Sequence, residues 1–395
     1  MRILLLADCY LPTKTSAAAM ISDLAIEMSS QGHEVAVAVP DSSVIGSYKV
    51  EESDGVEIVR IRTGKTKGVG HIRRGINEVL FSPIFGFRAK RYWVSKKFDL
   101  IVSYSPCIFW GPLVARLKKL WGCRSYLILR DIFPQNAIDL GYLRKGIAYY
   151  FFDKMANVQY RVADTIGLES YGSIEYFKEL TKGRYTNLRL LRNWKKLDNK
   201  HILTDGKYRK KWGLQDKMVF VYGGNFCKGH DVDSILNIAQ RLLSHNNLHF
   251  VLVGGGSQFE RIRLMVESMK ITNVSVYPSL SQEDYLEMLC EFDAGIITLS
   301  PKLKTSNIPG KLLTYLECGL PMVVTINRPE NDLKVLIEKY NVGYVCSTVD
   351  EESFADNIVK LVNNDKMRAE IRKNAKNLLQ DEFDVKNIVD YIVEN

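Results

Sequence analysis

Short apolar runs alternate with amphipathic stretches along the whole 395-residue chain, and that alternation limits the fold more than any other feature. Residues 3–6, 35–39, 98–103, 125–129, 165–168 and 188–191 read as strands, and a pair of strands is expected at 50–62. Helical spacing occupies 20–30, 110–120, 146–162 and 174–180 between them. The pattern restarts with strands at 218–222, 248–253, 274–276, 294–299 and 322–325. Helices are expected at 232–244, up to 269, and at 282–290, 311–317, 332–340, 352–363 and 365–380. Strand–helix alternation calls for parallel sheets with right-handed crossovers. A chain of 395 residues is too long for one core, so two doubly wound domains are predicted, 1–198 and 199–380. A polar linker is expected at 198–207. A terminal amphipathic helix within 381–395 would cross back to cover the first domain.

Open parallel sheets bind ligands beyond the carboxyl ends of their strands. One such end is concentrated in residues 305–324, Thr-Ser-Asn-Ile-Pro-Gly-Lys-Leu-Leu-Thr-Tyr-Leu-Glu-Cys-Gly-Leu-Pro-Met-Val-Val. Ser306 and Asn307 are good caps, Pro309 suits a first helical turn, Lys311–Glu317 reads as a short helix, and Gly319 closes it. A helix start after a polar loop gathers free amides and the positive end of the helix dipole, which suits an anion. Lys311 adds a full charge. Positions 310, 314 and 317 share a face, so Thr314 and Glu317 would lie behind a phosphate, within reach of a ribose. An ordinary strand–helix–strand crossover would show much the same pattern. In the first half, residues 8–19 read as a loop in which the small Ser16 and Ala17 let a ligand approach the first strand. No G-x-G-x-x-G fingerprint is present there.

Charge is unevenly placed. Residues 1–198 carry 30 Lys and Arg against 19 Asp and Glu, a net +11, whereas the remainder is near neutral, so the first half faces something anionic. Within residues 60–97, 11 basic side chains accompany one acid, Glu78, interleaved with Ile72, Ile76, Phe81, Phe85, Phe87, Tyr92 and Trp93. That mixture suits an anionic bilayer surface or lipid head group. A solvated basic face is the plainer alternative, and no nucleic-acid module accompanies the patch. Apolar runs fall far short of the roughly 20 residues that span a bilayer, and the opening residues read as a strand, not a leader. The seven cysteines lack C-x-x-C spacing and the six histidines lack ligand spacing, so reduced thiols, a cytoplasmic setting and no metal are expected.

The ordered motifs add a resemblance. Gly32-His33-Glu34-Val35 after an amphipathic helix, Tyr222-Gly223-Gly224-Asn225, Val253-Gly254-Gly255-Gly256 and the Lys311 to Pro321 run occur in the order and spacing of the retaining family-4 glycosyltransferases of GT-B architecture. Arg130-Asp131-Ile132-Phe133-Pro134 and Ser306-Asn307-Ile308-Pro309-Gly310-Lys311 resemble the L-fucosamine transferase branch of bacterial surface polysaccharide assembly, O-antigen or capsule. The resemblance implies two Rossmann-like domains facing a cleft and a nucleotide-sugar donor, UDP-linked, held by the second. Gly224, Asn225 and Lys228 would face the diphosphate, Gly254 and Gly255 would line the base pocket, and Ile308, Pro309, Gly310, Lys311 and Leu312 would hold the diphosphate. Asp131, Arg130, Ser16 and Ala17 would lie near the transferred sugar and acceptor. The family's ribose-binding glutamate falls here at Thr314, its partner glutamate at Ser306, and Glu317 is the available substitute. No cofactor or metal is implied.

The reaction expected is retaining transfer of a sugar to a polyprenyl-diphosphate-linked or polysaccharide acceptor, by a protein peripheral at the inner face of the cytoplasmic membrane. Asp131, Lys228 and Lys311 are the candidate catalytic groups. A sugar-nucleotide 2-epimerase of the same fold, or a non-enzymatic binder of anionic lipid, are the competing readings.

Overall fold

The computed structural model describes residues 1–13, 15–197, 204–328 and 331–394. Most of the expected linker, 198–203, therefore lies outside the described residues. The chain divides into two compact units, Met1–Lys196 with Asp384–Asn395, and Leu197–Phe383.

In chain order the first unit contains β1 (Arg2–Leu6), α1 (Ser16–Ser30), β2 (Glu34–Asp41), β3 (Tyr48–Ser53), β4 (Val56–Arg62), α2 (His71–Val79), α3 (Phe81–Arg88), α4 (Lys90–Ser95), β5 (Leu100–Tyr104), α5 (Gly111–Trp121), β6 (Arg124–Leu129), α6 (Gln135–Asp139), α7 (Ile147–Val162), β7 (Thr165–Leu168), α8 (Tyr171–Thr181) and β8 (Leu188–Leu190). Its sheet runs β3-β4-β2-β1-β5-β6-β7-β8. Every pairing is parallel except β3 with β4. That exception departs from the expected all-parallel sheet. It follows from Asp54-Gly55, whose φ angles of 55° and 73° make the tight turn that only a hairpin uses.

The second unit contains α9 (Lys207–Trp212), β9 (Met218–Asn225), α10 (Val232–Arg241), β10 (Leu248–Gly255), α11 (Phe259–Met269), β11 (Val274–Pro278), α12 (Gln282–Glu291), β12 (Ala294–Thr298), α13 (Lys311–Glu317), β13 (Met322–Ile326), α14 (Asp332–Tyr340), β14 (Gly343–Ser347), α15 (Glu351–Val362) and α16 (Asp365–Phe383). Its sheet, β11-β10-β9-β12-β13-β14, is parallel throughout. The last helix, α17 (Val385–Val393), returns to the first unit. Val385, Ile388, Val389 and Ile392 join the core beside Ile21, Leu24 and Met28 of α1. Two doubly wound α/β units are what the alternation demanded.

Three local differences bear on function. Residues 16–19, expected as loop, form the first turn of α1. Thr15 caps it by accepting from the Ala18 amide at 3.3 Å, and the three alanines that looked like room for a ligand are the strongest helix formers available. Neither Ser306 nor Asn307 caps α13. The N-cap is Gly310, because the Thr305 and Asn307 side chains hydrogen-bond each other in the loop. Finally, Phe81, Phe85, Tyr92 and Trp93 of the basic segment are core residues, whereas Ile72 and Phe87 are 83% and 80% exposed. The aromatic part of that segment therefore largely holds α3 and α4 on the sheet. Ile72, Ile76, Leu80 and Phe87, with Arg73, Lys90 and Arg91, form its outer face. Among the described residues, no helix is long and apolar enough to cross a membrane.

Candidate functional site

In the second unit the glycine motifs continue the strands. Gly223, Gly224 and Asn225 end β9, Gly254 and Gly255 end β10, and the two ends pair Gly254 with Gly224 and Gly255 with Asn225. The approach is close: a Cβ at Gly254 would sit 1.8 Å from the Gly224 carbonyl oxygen, so only glycine fits. The Phe226 amide donates to the Gly255 carbonyl at 2.7 Å, tying the two loops together.

Lys311 begins α13 beside this pair. Its Nζ lies 3.5 Å from the centroid of the Tyr222 ring and is enclosed without a hydrogen-bond partner among the described residues. Burial lowers its pKa to about 7, opposed by Cys227. A Cβ at Gly224 would stand 3.9 Å from Lys311 Cε, which places the β9 end against the lysine stem. His230, whose Nδ1 is 3.2 Å from the Thr298 carbonyl, is pushed down to about 4, by burial first and then by the Lys311 charge. It is therefore a neutral neighbour. Tyr315, fully buried on α13, locks the arrangement: the Gly223 amide donates to its hydroxyl at 2.9 Å and that hydroxyl donates to the Val221 carbonyl at 3.1 Å. Tyr222, His230 and Tyr315 were not among the sequence-derived site residues. The tyrosines look like core positions in a pattern, and only their place beside a glycine end marks them.

The remaining candidates sort as follows. Gly310 and Lys311 precede the first helical hydrogen bonds of α13, so their amides point ahead of the helix. Leu312 does not contribute an amide, because it donates to the Pro309 carbonyl at 2.9 Å, and its side chain is wholly in the core. Pro309 has no amide hydrogen to give, and Ile308 is buried. Thr314 and Glu317 are half-buried on the face shared with Gly310. The Glu317 charge acts on the Cys290 thiol of α12. Lys228 is exposed in the loop after β9, two residues before His230.

In the first unit, Asp8, Tyr104, Arg130 and Asp131 collect where β1, β5 and β6 end. Burial chiefly, opposed by Arg130 and aided by Asp131 and Asp8, raises the Tyr104 phenol to about 12. Arg130 is not an ion-pair partner of Asp131. Its two terminal nitrogens donate to the Leu191 and Arg192 carbonyls at 2.6 and 2.9 Å, and its guanidinium lies 4.9 Å from the Trp194 ring. It clamps the end of β8. Asp131 is held by Asn136 Nδ2 at 3.3 Å, and burial raises its pKa against the pull of Asn136 and Arg130. Ser16 and Ala17 open α1 next to Thr15, whose hydroxyl reaches Cys9 Sγ at 3.8 Å. A cavity of 360 Å³, lined by Asp8, Tyr10, Asp41, Arg60, Thr63 and Lys67 among others, opens beside them. Asp8 Oδ1 is enclosed there without a partner among the described residues. Sequence patterning missed this cavity because its walls come from three separate segments.

Residues 205–378 match the family described as Glycosyl transferases group 1. The chain is 24% identical over 348 residues to the putative colanic acid biosynthesis glycosyl transferase WcaI of Escherichia coli K12, covering 82% of this chain and 83% of that protein. Sucrose-phosphate synthase from Thermosynechococcus elongatus superposes with a TM-score of 0.74 at 13% identity, covering 100% of this chain and 97% of that one. HepE of Anabaena, solved in complex with UDP and glucose, gives 0.66 at 14% identity, covering 100% and 98%. The group 1 glycosyltransferase match thus covers the second unit, and the chain as a whole has the GT-B fold.

Proposed function

We propose that the protein transfers a sugar from a nucleotide diphosphate sugar, UDP-linked and of amino or deoxy type, to a polyprenyl-diphosphate-linked or polysaccharide acceptor, with retention at the anomeric carbon. The observation that carries the donor half is Lys311. An ammonium group enclosed over the Tyr222 ring without a hydrogen-bond partner among the described residues, at the end of a glycine-lined strand pair, is costly unless an anion completes it. A diphosphate supplies that anion. The Gly310 and Lys311 amides point the same way, and Gly224 leaves the backbone open to it. WcaI, named for colanic acid biosynthesis, supports the polysaccharide context.

During transfer, negative charge develops on the leaving diphosphate while the sugar becomes cation-like. Fixed donors aimed at that charge lower the barrier, and losing one comparable donor costs about 10²–10³ in rate. Lys311 and the amides at the start of α13 take this role, with Lys228 assisting from the β9 loop. Asp131, half-buried and held by Asn136, serves on the acceptor side, orienting a hydroxyl or countering the emerging cation. The outer face of residues 60–97 would draw the protein to an anionic bilayer bearing the lipid-linked acceptor.

Turnover with a panel of sugar nucleotides and a lipid-linked acceptor tests the reading. Lys311→Ala and Lys228→Ala should each lose transfer, and retained turnover in both would remove the assigned phosphate site. Product anomer analysis by NMR decides retention. Incubating donor alone and finding its 2-epimer would favour the epimerase instead.

A further inference from the structure

α7 carries two apolar stripes, and the core of the first unit uses only one. Through Phe152, Ala156 and Tyr160 its inner side joins the core that holds Phe109 and Leu113. Ile147, Tyr150 and Phe151 follow the i, i+3, i+4 spacing of a single helix face. They stand 93%, 65% and 40% exposed. A surface helix ordinarily turns that spacing toward its core. Here the stripe is left outside, with the exposed Arg144 and Lys145 before it and the exposed Lys154 after it. The one acid of α7, Asp153, is half-buried. A contiguous row of large apolar side chains on the surface marks a contact with something beyond the chain.

Charge on the neighbouring helices identifies the partner. α5 packs between α3 and α7, and all three share one core. α3, α4 and α5 contribute Arg88, Lys90, Arg91, Arg116, Lys118 and Lys119, and no acid. α1, which belongs to the other core of this unit, carries Asp23 and Glu27 and no base. Basic charge is thus gathered on the helix layer that exposes the apolar stripe. A second copy of the chain would set like charges opposite one another across a two-fold interface. An anionic bilayer complements them and takes up apolar side chains at its surface.

We propose that the start of α7 is a membrane anchor: Ile147, Tyr150 and Phe151 enter the head-group region of an anionic bilayer, and the basic side chains of α3, α4 and α5 lie along its surface. Tyr150 suits that depth, since a tyrosine ring is apolar and its hydroxyl stays hydrated. Each basic side chain held near such a surface strengthens partition about fivefold. The anchor rests on the bilayer placement proposed above for residues 60–97 and extends it to a separate stretch of chain. It rests on nothing in the donor site.

Co-sedimentation of the full-length protein with phosphatidylcholine vesicles, with and without phosphatidylglycerol, tests the anchor. The protein should partition onto the anionic vesicles and come off in high salt. Ile147→Ser/Tyr150→Ser/Phe151→Ser changes surface positions alone. It should keep the wild-type melting temperature and UDP affinity and lose about tenfold or more in partition. The tryptophan fluorescence of Ile147→Trp should be quenched more than that of wild type by lipids brominated in their acyl chains. Lys311→Ala should partition as wild type does, which keeps a failure of the donor site apart from a failure of the anchor. A wild-type protein that ignores anionic vesicles overturns the proposal. So does a triple variant that partitions as wild type does; if Ile72→Ser/Phe87→Ser then loses partition, the contact is confined to residues 60–97. A wild-type dimer that the triple variant cannot form would assign the stripe to a second copy and overturn the proposal as well.

Discussion

Replacing Lys311 by methionine should make the protein more stable and unable to grip its donor. The lysine stem is packed between Tyr222 and the β9 end, and methionine fills much the same volume without a charge. Burial lowers the Lys311 pKa from its ordinary 10.5 to about 7. A lysine whose folded pKa is depressed binds fewer protons folded than unfolded between those two values. Stability therefore rises with pH through this window and is weakest at and below about pH 7. Integrated to neutral pH, the penalty is ~4 kcal/mol, which Lys311→Met removes. Denaturant melts at pH 7 should show that gain, shrinking toward pH 10. Donor binding moves oppositely. Only the protonated amine attracts a diphosphate, so the apparent Kd of the wild type for UDP should rise roughly fivefold from pH 7 to pH 8. Lys311→Met should bind weakly with no such slope. A wild-type affinity flat across that range, or a variant less stable at pH 7 than its parent, would refute the idea of an enclosed amine awaiting an anion.

Three further outcomes follow from particular contacts. Gly254→Ala should destabilise the second unit by ~2–3 kcal/mol and abolish UDP binding, because its Cβ would collide with the Gly224 carbonyl; calorimetry with and without UDP reads both. Tyr315→Phe leaves the Gly223 amide and the Val221 carbonyl without their shared hydroxyl, a cost of ~1–3 kcal/mol, and should raise donor KM more than it lowers kcat. Asp131→Asn should lower kcat while leaving the melting temperature and UDP affinity near wild type, since the carboxylate is already held against burial; an unchanged kcat would move the acceptor role elsewhere.

Most of the architecture was legible in the sequence, because a parallel sheet buried on both faces writes itself as apolar runs. α13 and α14 fall at their expected residues, since each combines helical spacing with a clear stop, Gly319 after one and Asn341, with φ of 48°, after the other. β14 escaped notice because Gly343 and Tyr344 dilute a short edge strand. Glycine likewise hid the ends of β9 and β10: it reads as loop, yet here it lets two strand ends approach closely. At the donor site, Lys311 could be singled out from its place at a helix start. Its enclosure could not, because Tyr222 and His230 reach it from other elements. The aromatic residues at 81–93 misled for the opposite reason. Composition records that Phe and Trp are present, not which side of an amphipathic helix they occupy.

A crystal structure of the protein with a bound nucleotide diphosphate tests the central claim most directly. The phosphates should lie against Lys311 Nζ and the Gly310 and Lys311 amides, with the backbone of Gly224 beside them. Phosphates found away from Lys311, with its ammonium still enclosed and unpartnered, would contradict the account.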